Sequence, residues 1–348
     1  SIFDVIPEGC PREDIHYILD ELLQVGNVLT TNTPIFHNCL PLCGLCPPLP
    51  NPEYFYFNVI LSGVILPILG VLGLMGNALA AFIFSRRESH SSTNSYLFAL
   101  ACSDNATILT AIFLYGFESY KTFSPFIFTS VGALSPIFYS MSNIAQVCSV
   151  YFTLAAAVDC FVDICLVDKV RLRYCCGSTV RRIVPLVVIF SFFYNLPHYF
   201  ETVVVECFHE GFAIPTFEVC PHPMRTYAIY KTIYAGIVYP IFVAIGPLCC
   251  LILLNLAIVR ESVFGKENKE MGDTMSLILV VLLFIVCNSI ALALNFDEDL
   301  MERKLGQYYN YVLDVSNLLV VFNSSFNFVI YISFARNFRR TLRLYLYG

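Results

Sequence analysis

The sequence predicts an all-α membrane protein: a seven-transmembrane helix bundle with a short interfacial eighth helix and a small disulfide-stapled N-terminal ectodomain. Three observations predict it. Hydrophobic residues make up 57% and charged residues 13% of the 348 positions, with a mean hydropathy of +0.69, an apolar content that a water-soluble globular chain does not carry. Seven stretches are free or nearly free of charge: 54–85, 93–117, 122–158, 183–200, 232–259, 274–296 and 315–335. Each is long enough to span a hydrocarbon core of about 30 Å as a helix, the second only when read through Asp104. Lysine and arginine are unevenly shared between alternate connections, as in chains with a defined orientation.

The chain divides into 1–53 before the first span, 54–334 holding the spans, and 335–348 after the last. The first segment is too small to hold a core without staples. Within it, Pro11 to Val25 places Ile15, Ile18, Leu19, Leu22 and Leu23 at helical spacing, which predicts one amphipathic helix, either a lid on the bundle or a contact for a partner protein. The chain opens on Ser1, and a removed signal peptide is expected ahead of it. Six of the fifteen cysteines lie outside the spans on one side: Cys10, Cys39, Cys43, Cys46, Cys207 and Cys220. In an oxidising compartment they read as up to three disulfides, with fifteen pairings open, of which the local pair Cys207 with Cys220 is preferred. A zinc site at Cys39, Cys43 and Cys46 is the rival, with no fourth ligand to complete it, and no metal is expected.

One set of connections carries fourteen basic residues, including Arg86, Arg87, Lys169, Arg171, Arg181, Arg182, Arg260 and Arg336, against six in the other. The first set is therefore cytoplasmic, which puts the N-terminus outside; the expected location is the plasma membrane, as a multi-pass chain. The outer segments hold sixteen carboxylates. That acidic field attracts a cationic ligand, unless it is an ordinary soluble outer surface. The last residues, Ala335 to Tyr347, alternate basic and apolar positions and suit a helix lying on the inner membrane lipids. Cys175 and Cys176, near the same surface, read as unmodified thiols, with palmitoylation the alternative.

Polar residues inside the spans form a pattern: Gly76 and Asn77; Leu100, Ala101 and Asp104; Pro247; then Asn317, Asn323, Ser324, Ser325, Asn327 and Tyr331. This set resembles the rhodopsin-like G-protein-coupled receptors. Ser91, Ser92, Thr93, Asn94 and Tyr96, then Pro197, Tyr199, Phe200 and Glu201, then Arg225, Tyr230, Ile233 and Tyr234, and finally Asn323 to Tyr331, narrow it to the invertebrate FMRFamide-type neuropeptide receptors. The resemblance spans every predicted transmembrane helix and does not reach the first 53 residues.

The chain departs from that pattern at its inner face. Asp159, Cys160 and Phe161 stand where the family has Asp-Arg-Tyr, and Val167 and Ile290 stand where it has prolines. The family's disulfide cysteine on the third helix would fall near Ser135, and Trp is absent from the whole chain. The resemblance implies a G-protein switch at Asp159, Cys160, Phe161 and Tyr331 that has degenerated, so coupling should be atypical or weak. Asp159 and Asp163, four apart on one helical face, read as an acidic patch that reaches water or pairs with basic loop residues. The resemblance also implies a core around Asn77, Asp104, Asn323, Ser324 and Asn327, where the family holds a sodium ion; the residues alone suggest a hydrogen-bonded network without one.

FMRFamide-type ligands end in arginine and amidated phenylalanine, which implies a pocket with a partly buried carboxylate and aromatic walls. Glu118, Glu201 and Asp314 are the candidate carboxylates; Tyr227, Tyr230, Tyr234 and Tyr311 are the candidate walls, with Arg225 beside them. The expected function is a neuropeptide receptor for a cationic, RFamide-type peptide, working through a heterotrimeric G protein. The alternative is a non-signalling homologue acting as a decoy, accessory subunit or cell-surface partner of another membrane protein through its ectodomain. No nucleophile with a base, no metal triad and no pair of broken helices points to an enzyme or a transporter, and no nucleic-acid partner is expected.

Overall fold

The computed structural model describes residues 35–37, 39–44, 46, 51–86, 91–264, 271–296 and 298–347. Cys10 and the amphipathic segment Pro11 to Val25 lie outside these residues. Seven helices are long and apolar enough to cross a membrane: α1 (Pro52–Phe84), α2 (Ser92–Phe123), α3 (Pro125–Cys165), α4 (Gly177–Phe200), α5 (Tyr230–Glu261), α6 (Thr274–Leu294) and α7 (Leu300–Phe334). A further helix, α8 (Arg336–Tyr347), follows at once.

Local chemistry sets the ends. Pro52 and Pro125 sit in the first turns of α1 and α3, where a missing N–H costs nothing. Ser91 caps α2, its Oγ accepting from the Asn94 N–H at 3.1 Å. α3 carries Pro136 inside it, yet Ser140 Oγ donates to the Pro136 carbonyl at 3.0 Å and the helix continues. α6 lies within one uninterrupted helix, Met271–Phe296, as expected where Ile290 replaces a proline.

The outer half of α5 is wound as π-helix, over Tyr230–Val238 and Pro240–Ile245. A wide turn loosens the backbone ladder, and tyrosines from neighbouring helices stake it. Tyr194 OH donates to the Val238 carbonyl at 2.8 Å, and Tyr151 OH donates to the Phe242 carbonyl at 2.8 Å.

The main core lies toward the end of the bundle that carries α8. Leu100, Phe152 and Tyr331 are buried there, and Phe338 of α8 is 1% exposed against Phe84 and Tyr331. Arg336, Arg340 and Arg343 lie on the opposite, exposed face of α8. We call this basic end the inner end, after the charge-based expectation, and the other the outer end.

The outer end is closed by a hairpin of β3 (Thr202–His209) and β4 (Ile214–Pro221), antiparallel with Val203 opposite Cys220 and Cys207 opposite Thr216. That register corrects the expected Cys207 to Cys220 bridge. The two cysteines share one face but sit at pairing positions four residues apart, beyond disulfide reach. Their partners come from the N-terminal segment: Cys43 bonds Cys207, and Cys46 bonds Cys220. Cys39 is disulfide-bonded as well, which removes the zinc alternative. β1 (Phe36–His37) and β2 (Leu40–Pro41) precede this clasp as a minimal hairpin. Gly44, at φ 101°, turns the chain so that its N–H donates to Glu218 Oε2 at 2.8 Å.

The hairpin is pinned to α3 without the family's usual third-helix cysteine. Thr129 and Thr216 hydroxyls meet at 3.0 Å, and at Gly132 a Cβ would stand 2.0 Å from the Phe217 carbonyl oxygen. Only glycine permits that approach.

Candidate functional site

Below the outer hairpin, α4 ends in a short 3-10 turn that carries His198 and delivers Glu201 to the top of α5. Glu201 is 6% exposed. Its Oε1 lies 2.9 Å from His198 Nδ1 and accepts from Tyr230 OH, while Tyr139 OH donates to Oε2 at 3.4 Å. Burial pushes the Glu201 carboxyl up, but the His198 contact, the Tyr230 hydroxyl and the Arg225 charge outweigh it and hold the group below the usual carboxylate range. A depressed carboxylate contributes its stability above its unfolded value and loses it only as pH falls through the lower folded one, so Glu201 is an anion throughout the neutral range. The rings of Tyr139, Tyr234 and Tyr239 stand edge-on to His198, at 6.1, 5.6 and 4.9 Å.

Tyr239 also lines a cavity that descends between α3, α5, α6 and α7. Val150, Val243, Leu248, Phe284 and Ile285 make its walls apolar, and Gln146, Asn288 and Ser289 supply neutral polar groups. None of its lining residues carries a charge. Such a lining favours apolar and neutral polar groups, and it penalises a carboxylate, whose charge would be desolvated without a partner.

Asn323 and Ser324 join the cavity floor to the polar core. There Ser149 Oγ donates to Asp104 Oδ1 and Asn327 Nδ2 donates to Asp104 Oδ2, each at 2.8 Å, while Asn77 Nδ2 donates to the Ser324 carbonyl at 2.9 Å. The amide oxygens of Asn77, Asn323 and Asn327 are buried with no donor among the described residues. A carboxylate ringed by spare acceptors suits a cation or water better than a closed protein network.

At the inner end the acidic-patch expectation fails for Asp159. It is 6% exposed, and its Oδ2 accepts from Ser92 Oγ at 2.7 Å and Thr93 Oγ1 at 2.6 Å, at the start of α2. A buried carboxylate needs donors, and without a neighbouring arginine the two hydroxyls supply them. Asp163 does pair with a basic loop residue, Arg171 Nε, at 2.7 Å. Cys160 is buried beside them, and Cys175 Sγ donates to the Asp159 carbonyl at 3.6 Å.

The residues singled out for the mouth separate into two groups. Glu201, Tyr230, Tyr234 and the Arg225 charge gather around His198. Asp314 and Tyr311 turn toward α1: Tyr54 OH and Asn58 Nδ2 both donate to Asp314 Oδ2, at 3.0 and 2.9 Å, and Tyr311 meets Tyr54 edge-on and Phe57 at a tilt. Glu118 pairs with Lys121, and Tyr227 is 60% exposed and apart from both groups. Sequence reading missed His198, Tyr139, Gln146, Asn288 and Tyr239. His198 lies three residues before Glu201, the spacing at which one turn brings two side chains together; the others carry no signal apart from polar character inside a span.

No protein-family model matches the chain. It is 38% identical over 327 residues to a probable G-protein coupled receptor of Caenorhabditis elegans, frpr-1, covering 88% of this chain and 85% of that relative. It is 31% identical to the FMRFamide receptor of Drosophila melanogaster over 81% of this chain and 53% of that longer protein. Human neuromedin-U receptor 2 is 27% identical over 86% of this chain and 72% of its own length.

Proposed function

The chain belongs to the rhodopsin-like G-protein-coupled receptors of FMRFamide type, and from that premise we propose that it binds a cationic, C-terminally amidated peptide of RFamide type at its outer end and couples weakly to a G protein. The observation that carries this reading is the uncharged cavity lying under a mouth that holds buried carboxylates. An amidated phenylalanine suits the cavity, and the arginine before it suits an anion nearer the surface. Binding there shifts α5, α6 and α7, which line the cavity together with α3.

Competition binding tests the reading. Phe-Met-Arg-Phe-amide should bind, and its free acid should bind about 100-fold more weakly, because burying an unpaired carboxylate costs several kcal/mol. Equal affinity for the two forms counts against the cavity as the peptide's end point.

The family's sodium ion has a fitting donor set around Asp104: its carboxylate, the Ser149 hydroxyl and the unpaired amide oxygen of Asn323. Those residues would hold the ion, which would supply a positive charge opposite Asp104.

The N-terminus outside and α8 inside agree with the basic bias and with cystines at the opposite end. Cys176 reports this orientation. Hydrogen bonds from Ser178 and Thr179 pull its thiol down to about 7, whereas burial and the Asp159 charge push Cys175 up to about 12. A membrane-impermeant maleimide at neutral pH should label Cys176 only in permeabilised cells and leave Cys175 unmodified. Labelling of Cys176 on intact cells contradicts the orientation.

A further inference from the structure

We infer that Asp314, between α1 and α7, is the carboxylate that receives the cationic side chain of the ligand, with Tyr54, Phe57 and Tyr311 as the aromatic walls around it. This deepens the receptor reading and rests on it. Among Glu118, Glu201 and Asp314, two are already compensated. Glu118 pairs with Lys121, and Glu201 has His198 and the Arg225 charge. Asp314 is 6% exposed, and no lysine or arginine among the described residues pairs with it. Among the described residues its only hydrogen bonds are neutral, and both fall on one oxygen, Oδ2, from Tyr54 OH and Asn58 Nδ2. Oδ1 accepts no hydrogen bond from the described residues.

A buried carboxylate in that state lacks an opposite charge, and a guanidinium supplies one with two parallel donors. The rings are placed for the same group. Tyr311 meets Tyr54 edge-on at 5.2 Å and Phe57 at 4.9 Å, and all three are partly exposed. A planar cation stacks on such faces while its edge bonds a carboxylate. The first transmembrane helix thereby becomes part of the ligand site.

A structural clamp between α1 and α7 is the competing account, and a cycle between protein charge and ligand charge separates the two. Asp314→Asn keeps an acceptor for Tyr54 and Asn58 and removes only the charge. Against Phe-Met-Arg-Phe-amide it should weaken binding by about 30-fold, and replacing the peptide's arginine with citrulline should cost the unmodified protein about the same factor. The citrulline peptide should then bind both proteins equally. An arginine-to-citrulline loss that is as large in Asp314→Asn as in the unmodified protein overturns the inference.

Tyr54→Phe is the second variant, for use if Asp314→Asn does not reach the membrane. It retains the charge and frees Oδ2, so the preference for arginine over citrulline should hold or grow, and a fall overturns the inference. An unmodified protein that binds neither peptide sinks the receptor reading instead. The Asp314 site is then read with agmatine, a small guanidinium, which should raise the thermal unfolding temperature of the unmodified protein and not of Asp314→Asn; equal responses overturn it.

Discussion

Replacing Cys43 and Cys46 together with serine should detach the outer hairpin from the N-terminal segment, lower the unfolding temperature by roughly 10 °C and abolish high-affinity peptide binding. Each bridge closes a very long loop, with sequence separations of 164 and 174. In the chain-entropy account a loop of this order is worth about 5 kcal/mol, and the two bridges interleave along the chain, so the second closes only a short effective loop once the first is formed and adds less than the first. At about 2–4 °C per kcal/mol the loss is of the size stated. The functional loss follows from position. Cys207 and Cys220 flank Glu218 across the hairpin register, and Glu218 accepts the Gly44 N–H, so the clasp and the hairpin over the mouth are one unit. Cys207 and Cys220 should remain as free thiols in this variant, because bonding them to each other requires the strand register to slip. Differential scanning fluorimetry on protein in lipid, with mass mapping of the thiols, checks both statements. An unchanged unfolding temperature, or a Cys207 to Cys220 bridge, contradicts them.

The second large effect is expected at the inner face. Cys160→Arg should raise peptide-driven G-protein turnover by about tenfold, since a charge-assisted hydrogen bond contributes about 1.5–3 kcal/mol where a thiol contributes little. An arginine at 160 stands next to Asp159, whose carboxylate is tied to Ser92 and Thr93. Competing for that carboxylate loosens the tie between α3 and α2 and places a fork of donors at the inner surface. The flanking cations substitute poorly in the unmodified chain. Arg171 is engaged by Asp163 and Asp168, while Lys169 and Arg260 are exposed. Turnover measured in membranes with matched surface levels checks this, and a fall on restoring the arginine shows that the inner face engages its G protein by a different geometry.

Much of the fold was legible in the sequence because lipid leaves few choices. Charge-free stretches of helical length fix seven spans, and the alternating basic and apolar residues of 335–347 fix α8. The disulfide pairing was not legible, since local spacing favoured Cys207 with Cys220 and only the β3–β4 register shows them out of reach. Asp159 read as a solvated charge because the hydroxyls that bury it, Ser92 and Thr93, are more than sixty residues away in the chain. In the mouth, residue type put Glu201, Tyr230 and Tyr234 in one pool with Glu118, Asp314, Tyr227 and Tyr311, and only the structure sets those three together around His198. Nothing in spacing revealed that Asp314 and Tyr311 face α1, because the partners that turn them, Tyr54 and Asn58, lie before the matching motifs begin.

An amidated cationic peptide, seated between buried carboxylates and an uncharged cavity, is the proposed trigger of G-protein turnover despite Cys160 at the switch. Guanine-nucleotide exchange on purified heterotrimeric G proteins, driven by the unmodified chain in lipid nanodiscs, tests it most directly. Phe-Met-Arg-Phe-amide should accelerate exchange saturably, and the free-acid and citrulline forms should need far higher concentrations to match it. Exchange that stays at its basal rate with every G-protein class, or that responds equally to all three peptides, contradicts the account.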